Sequence, residues 1–275
     1  AMLYNLKDII RLVDKEDRGI AAFNVFGYED SQAVIEAAES IGRPVIIMAN
    51  KDAVNHMGVE LIGEIMLHVG AQAKVPVDVH LDHATDMEVI ERAIRSGYTS
   101  VMFDGSQLPF DENVERTRHV VEMAHAMDIS VEAEIGAVGY SDPDIRFNAR
   151  FTEPQEAKRF AQLTGVDALA VAVGTVHRME MQKAELQFDR LQEIAKQVDI
   201  PLVIHGSTGV ADEDLAKLVR FGARKINIGT ALRMEFGQTL RRQFADDPKE
   251  FDRIKLFGPC MEAVKDKAVQ KMELL

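Results

Sequence analysis

Cysteine occurs once in the 275 residues, as Cys260, so no internal disulfide can form. Positive charge is scarce: 32 Lys and Arg stand against 45 Asp and Glu, a formal charge of −13. Such a surface repels nucleic acid and anionic membranes, so any phosphate must be gripped locally. No apolar run is long enough to span a bilayer and no signal-peptide pattern is present, which makes the cytoplasm the expected address. No Gly-x-Gly-x-x-Gly follows the first apolar run, so nothing encourages an open dinucleotide-binding sheet, the structural alternative for a chain with this rhythm. Low-complexity tracts and interdomain linkers are also lacking, and one domain spanning 1–275 is expected.

What the chain does have is a regular alternation. Short apolar or β-branched runs at 21–25, 44–48, 77–81, 100–103, 130–135, 168–173, 201–204 and 225–228 are each followed by an amphipathic stretch of helical length. The helical stretches are 30–40, 59–72, 86–96, 112–127, 153–163, 188–198, 212–221 and 231–244. Several begin at acidic or hydroxyl residues and end near Gly97, Gly165 or Gly222. Runs such as Ala168-Leu-Ala-Val-Ala-Val suit parallel strands covered on both faces. Eight βα units predict an α/β fold closed as a parallel eight-stranded (β/α)8 TIM barrel. Residues 137–150 break the rhythm as a long polar active-site loop. So does the tail from 246, where Pro248, Gly258 and Pro259 precede a last helix at 261–275, a C-terminal helical extension.

Barrel enzymes carry their chemistry at the carboxyl ends of the strands. Those ends read Asp82-His83, Asp104-Gly105-Ser106, Glu132-Ala-Glu134, Gly174-Thr-Val-His177, His205-Gly206-Ser207 and Asn227-Ile-Gly229-Thr230. An isolated histidine is more often a hydrogen-bonded or half-exposed side chain than a ligand. Three at strand ends, His83, His177 and His205, converge over a barrel mouth and make a neutral nitrogen set for Zn²⁺ with a coordination position left open. His56, His68, His80, His119 and His125 lie inside a strand or on helices and loops and read as structural. Asp104 and Glu134 are either partners that orient ligands, a secondary metal position, or loop-mouth pairs for Lys and Arg. Small residues in 205–209 and 227–230 leave backbone N–H groups for a phosphate where the loops after strands seven and eight usually hold one. Arg178, Lys225 and Arg233 are cations nearby in sequence, or simply solvated surface charges.

At these residues the chain resembles the class II fructose-bisphosphate and tagatose-bisphosphate aldolases, the shorter tagatose-type branch in particular. The resemblance runs in order from Ala22-Phe23-Asn24 through Leu81-Asp82-His83-Ala84, Val131 to Gly136, Gly174 to His177 and His205-Gly206-Ser207 to Asn227-Ile228-Gly229-Thr230. It implies that His83, His177 and His205 carry a catalytic zinc, with Asp104 and Glu134 able to hold the metal in an alternative position. It also implies that Asp82 is the acid/base at the carbon–carbon bond. Asn24, Gly206, Ser207, Thr208, Asn227, Ile228, Gly229 and Thr230 then seat substrate and its phosphate, with a monovalent cation (Na⁺ or K⁺) nearby. The expected partners are a small sugar phosphate and further copies of the chain, as a homodimer or homotetramer.

Three departures stand out. The family's loop glutamate, in Gly-Gly-x-Glu-Asp, is matched here by Asp142, within Gly139-Tyr140-Ser141-Asp142-Pro143; a side chain one methylene shorter serves only if loop or substrate shifts. Arg178 replaces the glycine that follows the zinc histidine, and adds a phosphate contact or fills substrate space. Ala49-Asn50-Lys51-Asp52 replaces a small Ser/Gly pattern beside the substrate. The expected activity is retro-aldol cleavage of a ketose 1-phosphate or 1,6-bisphosphate to dihydroxyacetone phosphate and an aldehyde. Another donor or acceptor, a zinc hydrolase and a non-catalytic sugar-phosphate-binding subunit are the alternatives. A Schiff-base mechanism is disfavoured because the sixth strand holds no lysine.

Overall fold

A short helix that the alternation did not announce comes first. In the computed structural model, which describes residues 2–140, 149–182 and 184–275, α1 (Leu6–Asp14) is capped by Asn5, whose side chain accepts from Asp8 N. Its apolar stripe, Leu6, Ile9, Ile10 and Val13, packs on inward-facing residues of the strands and plugs the amino-terminal end of the barrel.

From there the βα rhythm runs as β1 (Ile20–Asn24), α2 (Tyr28–Ile41), β2 (Val45–Ala49), the short α3 (Lys51–Met57), α4 (Val59–Ala71), β3 (Val77–Ala84), α5 (Met87–Ser96), β4 (Ser100–Phe103), α6 (Phe110–His125) and β5 (Ser130–Ile135). The second half adds β6 (Gly139–Tyr140), α7 (Pro154–Thr164), β7 (Ala168–Val171), β8 (Val176–His177), α8 (Phe188–Gln197), β9 (Leu202–Ile204), α9 (Asp212–Arg220), β10 (Ala223–Ile228), α10 (Thr230–Asp246) and α11 (Arg253–Glu273). Eight strands close in the order β1-β10-β9-β7-β5-β4-β3-β2, all pairs parallel. The expected α/β TIM barrel is therefore the fold. β6 and β8 form a separate two-stranded ribbon above it, and Ala137 bridges Arg150 at the base of the intervening segment.

Alternation along each strand divides the core in two. Ala21, Phe23, Ile47, Val79, Val101 and Val131 face outward to the helices. Ala22, Ile46, Met48, Met102, Ala170 and Val203 face inward onto α1. Inward positions of β3, β5 and β10, and the first of β4, are polar instead: Asp78, His80, Ser100, Glu132 and Lys225 are all fully buried.

Two sequence expectations change. The last helix begins at Arg253, not 261, and passes through Gly258 and Pro259. A helical proline costs about 3 kcal/mol locally, and packing of α11 along α2 and α10 overrides it. Lys225 is no solvated surface charge: it is 0% exposed and its Nζ stands 2.7 Å from Glu132 Oε1.

Candidate active site

Neighbouring residues in a strand point to opposite faces, so Asp82 and His83 should not share a cavity. The register of β3 against β4 shifts between Leu81 and Ala84, and His83 takes a left-handed φ of 46°. This irregularity turns both side chains into the barrel mouth. A non-glycine residue held there costs of order 1–3 kcal/mol and persists only where the surroundings over-determine it.

His177 arrives from β8 and His205 from the end of β9. Ligand atoms of His83, His177 and His205 all lie within 4.8 Å of one another, and the ring centroids are 5.0, 4.4 and 6.0 Å apart in pairs. Hydrogen bonds from behind decide which nitrogens face inward. His83 Nδ1 is 2.9 Å from Asp104 Oδ2, and Asp104 is itself held by Ser106 Oγ at 2.6 Å. His205 Nε2 is 2.9 Å from Glu132 Oε2. That leaves His83 Nε2, His205 Nδ1 and both oxygens of Glu134 buried with no hydrogen-bond partner among the described residues. His205 Nδ1 and Glu134 Oε1 are 3.1 Å apart but not aligned for a bond.

Buried lone pairs aimed at one point are costly unless a cation takes them. The electrostatics agree. Burial opposes a charge on His83, yet Asp82, Asp104 and Glu134 raise its pKa to about 10, so the site demands positive charge at this position. The donor set of imidazoles with a reserve carboxylate suits a zinc-like ion with an open position.

Asp82 sits beside this cluster, 4% exposed. Its Oδ2 accepts from Asn24 Nδ2 at 3.1 Å, while Oδ1 has no hydrogen-bond partner among the described residues. Burial favours the neutral acid, but the imidazoles of His83 and His205 and the ammonium of Lys225 outweigh it and keep the carboxyl below its ordinary value. An ionised carboxylate with one oxygen fixed and one free is a proton acceptor ready for use.

The same cavity, about 340 Å³, is lined by Asn24, Asp82, His83, His177 and Arg178, and on its other side by Gly206, Ser207, Thr208, Asn227, Gly229 and Thr230. Gly206 has φ 68°, and a Cβ there would come within 2.9 Å of Val176 C. Gly229 likewise lies against Asn24, whose Oδ1 a Cβ would meet at 2.6 Å. Ser207 Oγ donates to Asn227 O, and Ala231 N donates to Thr208 Oγ1 at 3.1 Å. The N-cap of α10, Gly229, has no side chain to offer, so apart from Ala231 N, which Thr208 takes, the first-turn N–H groups are left for an anion, with Arg233 one turn along at the rim.

Of the remaining residues singled out in the sequence, Ile228 is 1% exposed and packs into the outer core, away from the cavity. Asp142 lies outside the described residues. His80 is buried, its Nδ1 2.6 Å from Ser100 Oγ. Asn50, Lys51 and Asp52 line the rim, the stretch that the resemblance set beside the substrate; what was not foreseen is the placing of Glu132 and Lys225 behind His205. The spacing Glu132-x-Glu134 was a readable signal, because residues two apart share a strand face. Nothing local marked Asp52 as the partner of Arg178.

A family model described as class-II fructose-bisphosphate aldolase matches residues 4–275. The YdjI aldolase from Escherichia coli K12 is 32% identical, with 99% of this chain and 97% of that one covered and a TM-score of 0.87. A fructose-bisphosphate aldolase from Campylobacter jejuni is 22% identical over 99% of this chain and 94% of that one, and its TM-score of 0.79 shows the shared fold.

Proposed function

We propose that this chain, which belongs to the class II fructose-bisphosphate aldolase family, is a zinc-dependent lyase that reversibly cleaves a ketose 1-phosphate or 1,6-bisphosphate to dihydroxyacetone phosphate and an aldehyde. One observation carries the reading: three imidazoles, a carboxylate with a free oxygen and a glycine-rich anion seat line a single cavity.

The phosphate of the ketose is placed against the loops 206–208 and 229–230, where backbone N–H groups and the α10 dipole favour a dianion. His83, through Nε2, His205, through Nδ1, and His177 would hold the ion. When bound, it supplies Lewis-acid polarisation of the carbonyl and adjacent hydroxyl, so that the charge left on breaking the carbon–carbon bond is delocalised. Asp82 Oδ1 takes the proton of the C4 hydroxyl as the C3–C4 bond breaks, the pair freed from the O–H bond completes the aldehyde C=O, and the C3–C4 pair passes into the enediolate. Asn24 keeps Asp82 in position through its other oxygen. A second group returns a proton to C3, and Asp142 is assigned this step on its place in the loop motif. A monovalent cation near the phosphate seat, a tagatose-type substrate preference, a homodimeric or homotetrameric assembly and a cytoplasmic location belong to the same reading. The lone, buried Cys260 is consistent with a reducing compartment.

The test is a coupled assay for dihydroxyacetone phosphate over a panel of ketose 1-phosphates and 1,6-bisphosphates, with Zn²⁺ and with chelator. Triose release that depends on Zn²⁺ is expected. Release of inorganic phosphate alone would replace the aldolase reading with a hydrolase.

A further inference from the structure

Two carboxylates of one strand flank His205. Glu132 and Glu134, two apart on β5, both face the barrel interior, 0% and 1% exposed. Glu132 Oε2 stands 2.9 Å from His205 Nε2, and Glu134 Oε1 stands 3.1 Å from its Nδ1. A neutral imidazole has one N–H, so only one of the two can be its hydrogen-bond acceptor. The other faces a lone pair. Alignment favours Glu132, since only its contact with the ring is a hydrogen bond among the described residues.

Lys225 holds that choice in place. It enters the interior from β10, in register with Ile20 of β1 and Val203 of β9. Its Nζ donates to Glu132 Oε1 at 2.7 Å. Lys225 and Glu132 are both fully buried, so their pair is unscreened by water, and His80 closes the far side with Nε2 3.6 Å from Glu132 Oε1. Both oxygens of Glu134, by contrast, lack a hydrogen-bond partner among the described residues.

We propose that Lys225 sorts the two glutamates: by pairing with Glu132 it fixes that carboxylate as the acceptor for His205 Nε2–H, and so leaves His205 Nδ1 and Glu134 facing the metal. Lys225 and Glu132 are thus positioning residues for a ligand and touch neither substrate nor ion. The reasoning is geometric. The ring must present its lone pair to the ion, and the proton on the other nitrogen must have a permanent acceptor to hold the ring in that orientation. An unpaired Glu132 could release the ring, and Glu134 would then compete for the imidazole proton. The inference concerns how the ion is held and is independent of which sugar phosphate is cleaved.

Removing one partner alone strands a buried charge and endangers the fold. The test therefore uses the double variant Glu132→Gln/Lys225→Met, neutral and nearly isosteric, with Zn²⁺ affinity measured by competition with a chromogenic chelator. The parent protein is expected to bind Zn²⁺ about 10- to 100-fold more tightly than the double variant, the usual cost of losing a partner behind a metal ligand. A purely structural pair would lower the melting temperature and leave affinity unchanged. Equal affinity in a folded double variant overturns the proposal.

A second measurement needs no variant. In the Zn²⁺-loaded parent protein, long-range ¹H–¹⁵N spectra of the histidine rings should show His205 protonated at Nε2 and metallated at Nδ1. The opposite assignment overturns the proposal even if the double variant fails to fold. A parent that takes up no Zn²⁺ would remove both this inference and the metal reading, whereas inactivity on every ketose phosphate with the ion tightly bound would leave this inference standing.

Discussion

The guanidinium of Arg178 meets the carboxylate of Asp52 at 3.3 Å, 126 residues away along the chain. Asp52 follows β2, and Arg178 follows β8, which in turn follows β7. In the closed order of strands β2 and β7 lie four places apart in either direction, so the pair spans the barrel mouth. Arg233 approaches the same carboxylate at 4.0 Å. Arg178 holds a left-handed φ of 59°, backbone strain of the kind that clusters at functional sites.

Arg178 lies in the cavity wall with the proposed phosphate seat, and Asp52 accepts a hydrogen bond from its guanidinium. Arg178→Ala is expected to raise KM for a ketose 1-phosphate about 10-fold, the loss of roughly 1.4 kcal/mol of binding, while kcat changes little. Because an exposed ion pair contributes only about 0–1 kcal/mol to stability, the melting temperature should stay close to that of the parent. An unchanged KM in steady-state assays would remove Arg178 from substrate binding.

Asp82 and His83 adjoin in sequence yet should fail differently. His83→Ala removes an ion ligand, so both bound zinc, read by metal analysis, and turnover should be lost. Asp82→Ala should retain the zinc and lose about 10²- to 10⁴-fold in turnover, the usual contribution of a positioned acid/base. Equal zinc loss in the two variants would mean that Asp82 is part of the metal shell.

Gly206→Ala tests the phosphate seat. The backbone at φ 68° is unfavourable for alanine, and the new methyl would press on the Val176–His177 peptide at 2.9–3.0 Å. A stability loss of about 1–3 kcal/mol should appear in urea unfolding, together with weaker substrate binding, since the loop that carries His177 must move. A variant with parental stability and KM would show that the loop yields freely.

Asp78 gives the barrel interior a pH signature. Burial raises its pKa to about 7, against hydrogen bonds from Thr99 and Ser100 and the pull of Lys225, with Glu132 acting in the same sense as burial. An acid whose folded pKa exceeds its unfolded value, about 3.9, binds more protons when folded. Its contribution to stability is therefore present at low pH and is lost as pH rises through the window from about 4 to 7. Asp78→Asn should flatten that part of the profile in denaturant titrations at successive pH values. A slope identical to that of the parent would show that Asp78 does not titrate there.

Much of the frame was legible because it is repetitive. Apolar runs of strand length, each followed by a helical period, can be read without knowing what they touch, and they led to the eight strands that close the barrel. The helix α1 escaped because its nine residues precede the first strand and its stripe means nothing until there is a barrel end to plug. The start of α11 escaped because Gly258 and Pro259 argue locally for a break, and only the packing along α2 and α10 overrules them.

By itself, the sequence determined the period of the elements and placed ionisable residues at strand ends, since both depend on spacing along one dimension. Only the tertiary structure decided that Asp82 and His83 face the same cavity, through an irregularity in β3 that simple alternation forbids. It alone also buried Lys225 against Glu132 and drew Asp52 to Arg178. Such pairings depend on where the closing of the barrel brings distant strands, and the energy of a charge depends on its partner and its distance from water, neither of which a local pattern encodes.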